Sequence, residues 1–256
     1  MFRPVILIPS YNTGEALLRR TVNDVIATHW PVCVVIDGST DSSEKGLLGI
    51  QGDLKVITLP RNVGKGAAIY NAAQQLHQCG FSHVLVMDSD GQHPAASASR
   101  FIHYATRYQD AVILGRPIFA ADAPTLRVQG RKVSNSFAQL ETLGWGIDDS
   151  LFGMRLYPLA ALLEVFTETA WARRFDFEPE MAVRLAWKGI PIINLATPVR
   201  YLSEIEDGIS QFRYVRDNIL LAGMHIRLLI GFLWRLPYLL WRPENPYEHA
   251  SDAQAD

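Results

Sequence analysis

The sequence predicts a doubly wound α/β domain on a mostly parallel sheet, followed by a helical extension. Three observations predict it. Short apolar runs recur at residues 5–8, 32–36, 56–59, 84–87 and 111–114. Stretches with helical spacing, 16–27, 67–76 and 98–108, alternate with them. An apolar run bounded by helices reads as a strand covered on both faces, which is the habit of parallel sheets. Each run also ends in polar, turn-forming residues, as expected where a parallel sheet opens at its carboxyl rim.

The elements follow in order. Residues 42–48 give only a short, weak link between the second and third strands. Residues 126–143 predict a helix, with Val128, Val133, Phe137 and Leu140 roughly on one face. Residues 151–157 read as a strand. Pro158 opens a helix through 166, in the first-turn position that proline tolerates. A helix over 179–187 is ended by Gly189. Residues 190–196 and 199–202 are strand-like. From 219 to 241 almost every residue is apolar, interrupted by His225, Arg227, Arg235 and Pro237. That length approaches a bilayer span, but two arginines and a proline count against one clean crossing. Tryptophans and arginines in the run suit a lipid headgroup boundary, so an amphipathic helix or helical pair lying on a membrane is expected. A helix packed on the catalytic domain or on a partner, and a true span, are the alternatives. The expected division is 1–210 catalytic domain, 211–242 apolar membrane-associated segment and 243–256 flexible tail.

Composition bounds the function. The 256 residues are 48% hydrophobic and 20% charged, which excludes disorder, collagen and coiled coil as the main architecture. A net charge of −2 gives no field to hold nucleic acid. Of 24 basic residues only five are lysines, and the arginine excess suits phosphorylated ligands. Cys33 and Cys79 form no CxxC pair, so a zinc knuckle is not expected. Val5-Ile6-Leu7-Ile8 is too short for a signal peptide, and a cytoplasmic protein, peripherally held at the membrane, is expected.

The rim loops carry the chemistry. They read Pro9-Ser10-Tyr11-Asn12, Asp37-Gly38-Ser39-Thr40-Asp41, Arg61-Asn62-Val63-Gly64-Lys65-Gly66, Asp88-Ser89-Asp90-Gly91-Gln92-His93 and Gly115-Arg116. Asp88 and Asp90 follow a buried strand, and residues two apart in extended chain share a face. Two such carboxylates repel one another unless a cation sits nearby. Hard Mg²⁺ or Mn²⁺ takes oxygen ligands and bridges to phosphate. Gly64-Lys65-Gly66 has the composition of a phosphate-wrapping turn. It lacks the third glycine of a dinucleotide fingerprint, since position 69 is Ile. It also lacks the glycine of a Walker loop, since position 59 is Leu.

In order and approximate spacing these motifs resemble family 2 glycosyltransferases, most closely the dolichyl- or polyprenyl-phosphate sugar synthase branch. Asp149-Ser150-Leu151-Phe152-Gly153-Met154-Arg155 and Phe177-Glu178-Pro179-Glu180-Met181 extend the likeness to about residue 202. The resemblance implies a GT-A fold and a UDP- or GDP-linked sugar donor. It implies that Pro9, Tyr11 and Asp37, with Asn12 beside them, hold base and ribose. Asp88 and Asp90 would hold the metal and diphosphate, with Lys65 and Gln92 nearby and Arg116 and Arg155 on phosphate. Ile36 stands where the family often has a second acid, and Met154 where it usually has Phe. The expected reaction is one-step inverting transfer to a lipid-linked acceptor, a polyprenyl phosphate above all.

A hydroxyl acceptor would need a carboxylate base, and Asp149, Asp176, Glu178 and Glu180 are the candidates, Asp149 and Glu180 foremost. An anionic lipid phosphate would need arginines instead, with Arg173, Arg174, Arg200 and Arg213 available. Transfer to a lipid or glycan hydroxyl, and a non-catalytic membrane partner, are the competing readings. A sugar nucleotidyltransferase would need an early Gly-x-Gly-x-Arg loop, and residues 10–16 have none.

Overall fold

The computed structural model describes residues 1–118, 125–200 and 214–251. Its strands are β1 (Pro4–Ser10), β2 (Val32–Asp37), β3 (Leu54–Leu59), β4 (His83–Val86), β5 (Val112–Ile118), β6 (Arg155–Pro158) and β7 (Ile192–Pro198). Its helices are α1 (Glu15–Ile26), α2 (Lys65–Gln78), α3 (Ala95–Arg107), α4 (Thr125–Glu141), α5 (Leu159–Glu168), α6 (Phe177–Trp187) and α7 (Tyr214–Trp241). The seven strands form one sheet in the order β3-β2-β1-β4-β6-β5-β7. All pairings are parallel except those of β6, which runs antiparallel to both β4 and β5.

Strands β1, β2 and β4 are buried on both faces because helices cover both, whereas the edge strand β3 leaves Val56 exposed. In β1, Val5 and Leu7 enter one core with residues of α2, α5, α6 and α7, while Ile6 and Ile8 enter the other with α1 and α3. That alternation is the two-residue period of a strand, and both sets are apolar because neither face meets water.

Several expectations change. The strand read over 151–157 is confined to its last part, because residues 149–153 form a loop held by side-chain hydrogen bonds. Pro158 closes β6 and caps α5 rather than lying within it. Helix α6 starts two residues before Pro179. Val199 and Arg200 are outside any strand, and 201–202 lie outside the described residues. Val133, Phe137 and Leu140 do share a face of α4, but that face points outward, and Ser134, Ala138 and Glu141 point in. The side chain of Val128 lies outside the described residues.

The apolar run forms α7, one helix that contains Pro237 and packs against α4 and α6. By length and composition, Ile219–Trp241 is sufficient to cross a membrane. The expected flexible tail is docked as far as residue 251. Asn245 donates to the Ile192 carbonyl at 2.8 Å, and the Asn194 amide donates to Ser251 Oγ at 3.0 Å. Residues 252–256 lie outside the described residues.

Candidate active site

The parallel strands deliver their loops to one rim, and the reversed β6 adds another. Val86 at the end of β4 pairs with Arg155 at the start of β6. Residues 149–154, which lead into β6, therefore arrive beside residues 87–90, which leave β4. Gly153 lies directly against the Asp88 carboxylate, with no room for a Cβ.

Asp88 is the hub. Lys65, the first residue of α2, brings Nζ to 2.5 Å from Asp88 Oδ1 and also pairs with Glu178 of α6. His93 Nε2 lies 3.3 Å from Asp88 Oδ2, and its ring sits edge-on to Phe152. Burial alone would raise the Asp88 pKa, but Lys65 and then His93 hold it well below the usual carboxylate range. Burial would likewise lower Lys65, but Asp88 and Glu178 hold it protonated above its ordinary value. Asp90 behaves oppositely. Burial, and then the charge of Asp88, push its pKa up, while the Gln92 amide donates to its Oδ1 at 3.0 Å.

This pattern fits a divalent cation. Two hard carboxylates sit close enough to disfavour joint ionisation, and an added positive charge relieves that directly. Among the described residues no group of three or more acids, histidines or cysteines is arranged to hold a metal by itself. Asp88 and Asp90 would then hold the cation, with phosphate and water as its further ligands.

The neighbouring loops are firmly built. Asp37 accepts from the Val63 and Gly64 amides at 2.8 and 2.9 Å, and the Ala67 amide donates to Arg173 O. The Val63, Gly64 and Ala67 amides in and beside the Gly64-Lys65-Gly66 turn are thus bonded within the protein. Gly64 is needed there: its φ is +100°, and a Cβ would strike the Arg173 carbonyl. Asn12 Oδ1 accepts from the Thr40 amide at 2.8 Å, which ties the first loop to the second. Pro9 is buried in β1, and Tyr11 is half-buried just beyond it. Ser10, Thr13 and Ser89 form a buried hydroxyl chain between the β1 and β4 loops, with links of 2.9 and 2.8 Å. Isolated serines and threonines in loops carry no sequence signal, so this chain is visible only in the folded structure.

Other expected residues serve as framework. Arg155 is fully buried and donates to the carbonyls of Phe152, Glu178 and Asp149, so it braces the loops from beneath instead of reaching a donor phosphate. Asp149 accepts from the amides of Leu151 and Phe152 and from Arg131 at 2.6 Å. Glu180 is fully buried and paired with Arg184 and with Arg227 of α7, away from the Asp88 cluster. Glu178 takes the place at the cluster expected for Glu180. Two residues apart on a helix are about 200° apart, so only one of them faces the rim.

Asp176 caps the Ala172 and Arg174 amides. Arg173 donates to the carbonyls of Phe166 and Thr169. Arg116 is half-exposed, 3.7 Å from Asp148. Gln92 accepts the Arg200 amide on its backbone oxygen at 2.9 Å. Arg213 lies outside the described residues.

Residues 5–166 match the family described as Glycosyl transferase family 2. The chain belongs to that family. Among its family 2 relatives, the glycosyltransferase AglJ of Haloferax volcanii is 28% identical over 222 residues, covering 83% of this chain and 67% of that protein. Polyprenol monophosphomannose synthase of Mycolicibacterium smegmatis is 25% identical over 219 residues, covering 82% and 80%. The glucosyl-3-phosphoglycerate synthase of Mycobacterium tuberculosis, solved with Mn²⁺, UDP and glucosyl-3-phosphoglycerate, shares the fold. Its TM-score is 0.64 at 17% identity, covering 90% of this chain and 80% of that one. A family 2 glycosyltransferase with a mostly parallel, GT-A-like sheet is therefore what this chain is.

Proposed function

We propose that this glycosyltransferase moves a sugar from a UDP- or GDP-linked donor to a polyprenyl phosphate at a membrane surface, with inversion in one step. The observation that carries the acceptor class is the state of the acids. Asp149, Asp176, Glu178 and Glu180 are each tied to amides, arginines or a lysine. Each of the four is thus engaged in holding the protein together. A phosphate acceptor is already ionised and needs no base. The names of the relatives point the same way, since one is a polyprenol monophosphomannose synthase.

Asp88 and Asp90 would hold the cation, and a bound Mg²⁺ or Mn²⁺ supplies neutralisation of the charge that develops on the leaving diphosphate. Lys65 fixes the Asp88 carboxylate and adds a second positive charge beside it. Pro9, Tyr11 and Asn12 line the first rim loop, where base and ribose would lie. Asp37 shapes the neighbouring wall by holding the 63–64 turn. Arg116, on β5 at the same rim, would meet donor phosphate, and Gln92 would flank the carboxylate pair.

The test is transfer from radiolabelled UDP- and GDP-sugars, with Mn²⁺, to undecaprenyl phosphate and to the matching free alcohol. Product is expected from the phosphate alone. Product from the alcohol alone would replace this reading with a hydroxyl-directed transferase.

A further inference from the structure

Helix α7 is inverted. The charged groups of its central stretch turn toward the protein, and its outward side is apolar. His225 Nδ1 meets Glu141 of α4 at 2.9 Å, and Arg227 meets Glu180 at 3.0 Å while stacking on Trp171. Asp217 is fully buried. Outward stand Ile226, Ile230 and Trp234, the last 84% exposed. Helix α4 repeats the inversion. Its inner side carries Ser134, bonded to His225 and Ser150, and the fully buried Glu141. Its outer side shows Val133, Phe137 and Leu140. The two helices pack together, with Phe137 stacked on His225 at 5.0 Å. Their apolar sides thus form one continuous face.

Charge selects the occupant. Glu141 and Asp217 are the only carboxylates in the two helices, and both are buried. The charged side chains that α4 and α7 do expose, among the described residues, are cations: Lys132, Arg216 and Arg235. An apolar face whose two helices themselves expose cations and no acid complements anionic headgroups over an acyl layer. A span is disfavoured by the way α7 is tied down. Contacts run from Met224 in the core to Arg242, which donates to the carbonyls of Ala186 and Thr142. Crossing a bilayer would strip them.

We propose that α4 and α7 together form a single lipid-docking face that lies flat on an anionic membrane, α4 being half of it. This rests on the membrane part of the preceding reading and not on the transfer chemistry. It has a consequence for the site, because the inner side of α4 holds the 149–153 loop through Arg131, Ser134 and Asn135. The helix that meets lipid is the one that positions the loop against Asp88.

The test is co-sedimentation of the full chain with phosphatidylcholine vesicles, with and without roughly a third phosphatidylglycerol. Two double variants are compared, Val133→Ser/Leu140→Gln in α4 and Ile226→Gln/Ile230→Gln in α7. All four side chains are more than half exposed, at 60%, 52%, 61% and 55%, so the fold should survive. The wild type should bind the anionic vesicles several-fold better, and less well in high salt. Each double variant should bind about tenfold more weakly, while its thermal shift with nucleotide-sugar and Mn²⁺ stays that of the wild type.

Wild-type binding by the α4 variant would remove α4 from the face and overturn the proposal. Protein that resists alkaline carbonate extraction would overturn it in favour of a spanning helix. A lipid-free dimer broken by both variants, with no vesicle binding, would assign the face to a second copy. Lost nucleotide-sugar binding in the wild type would instead count against the transferase reading and leave the docking result standing.

Discussion

The backbone of Gly153 lies flush against the side chain of Asp88, and the carboxylate occupies the space a methyl group would need. A residue of the loop before an antiparallel strand thereby sets the position of a carboxylate at the end of a parallel one. Gly153→Ala should push the two apart. A displacement near 1 Å costs about 10²-fold in a positioned site, so transfer should fall about that much with little change in melting temperature. Steady-state kinetics beside a thermal melt checks this, and undiminished transfer would show that Asp88 needs no such support.

Asp90 is held in a costly state. Burial and the neighbouring charge of Asp88 both disfavour its ionised form. Asp90→Asn should therefore leave the protein as stable as before or slightly more so. Transfer should fall by about 10³-fold, because half of the proposed cation's protein ligands would be gone. Calorimetric titration with nucleotide-sugar, with and without Mn²⁺, should show that the metal dependence is lost.

Lys65 stands between Asp88 and Glu178, and removing it strands two partly or fully buried carboxylates. Losing one partner of a buried ion pair costs about 3 kcal/mol or more. Lys65→Met should lower the melting temperature by roughly 6 to 12 °C in a protein of this size. Lys65→Met/Glu178→Gln should recover part of that loss, and an additive double variant would show that the pair is not coupled.

The two cysteines should differ in reactivity. Burial pushes the Cys33 thiol from 9.0 up to about 12, whereas Cys79 is exposed. At pH 8 one thiol per chain should react with a colorimetric disulfide reagent before unfolding and two afterwards. The raised pKa also stabilises the fold below the ordinary thiol range. That contribution should fade as pH rises through about 9 toward 12, since the unfolded chain ionises first.

The alternation of apolar runs and helical stretches, together with the polar ends of the runs, was enough to read the sheet, its rim and the presence there of Lys65, Asp88, Asp90 and His93. Periodicity and loop chemistry are local, and a strand buried on both faces writes itself as an unbroken apolar run. Direction is not local. Nothing in Arg155-Leu156-Tyr157-Pro158 says that this strand runs against its neighbours. Yet its reversal is what carries Gly153 to Asp88 and sets Arg155 beneath the site, bonded to three carbonyls.

The choice between Glu178 and Glu180, the inward turn of the polar side chains of α4 and α7, and the docking of residues 245–251 were decided in the same way. Each depends on which surface a helix or segment meets, and that is known only when the whole chain has folded. Composition and spacing specified the layers and the rim. Tertiary packing decided which carboxylates face the reaction and which hold the protein together, because burial and charge pairing arise between elements far apart in the chain.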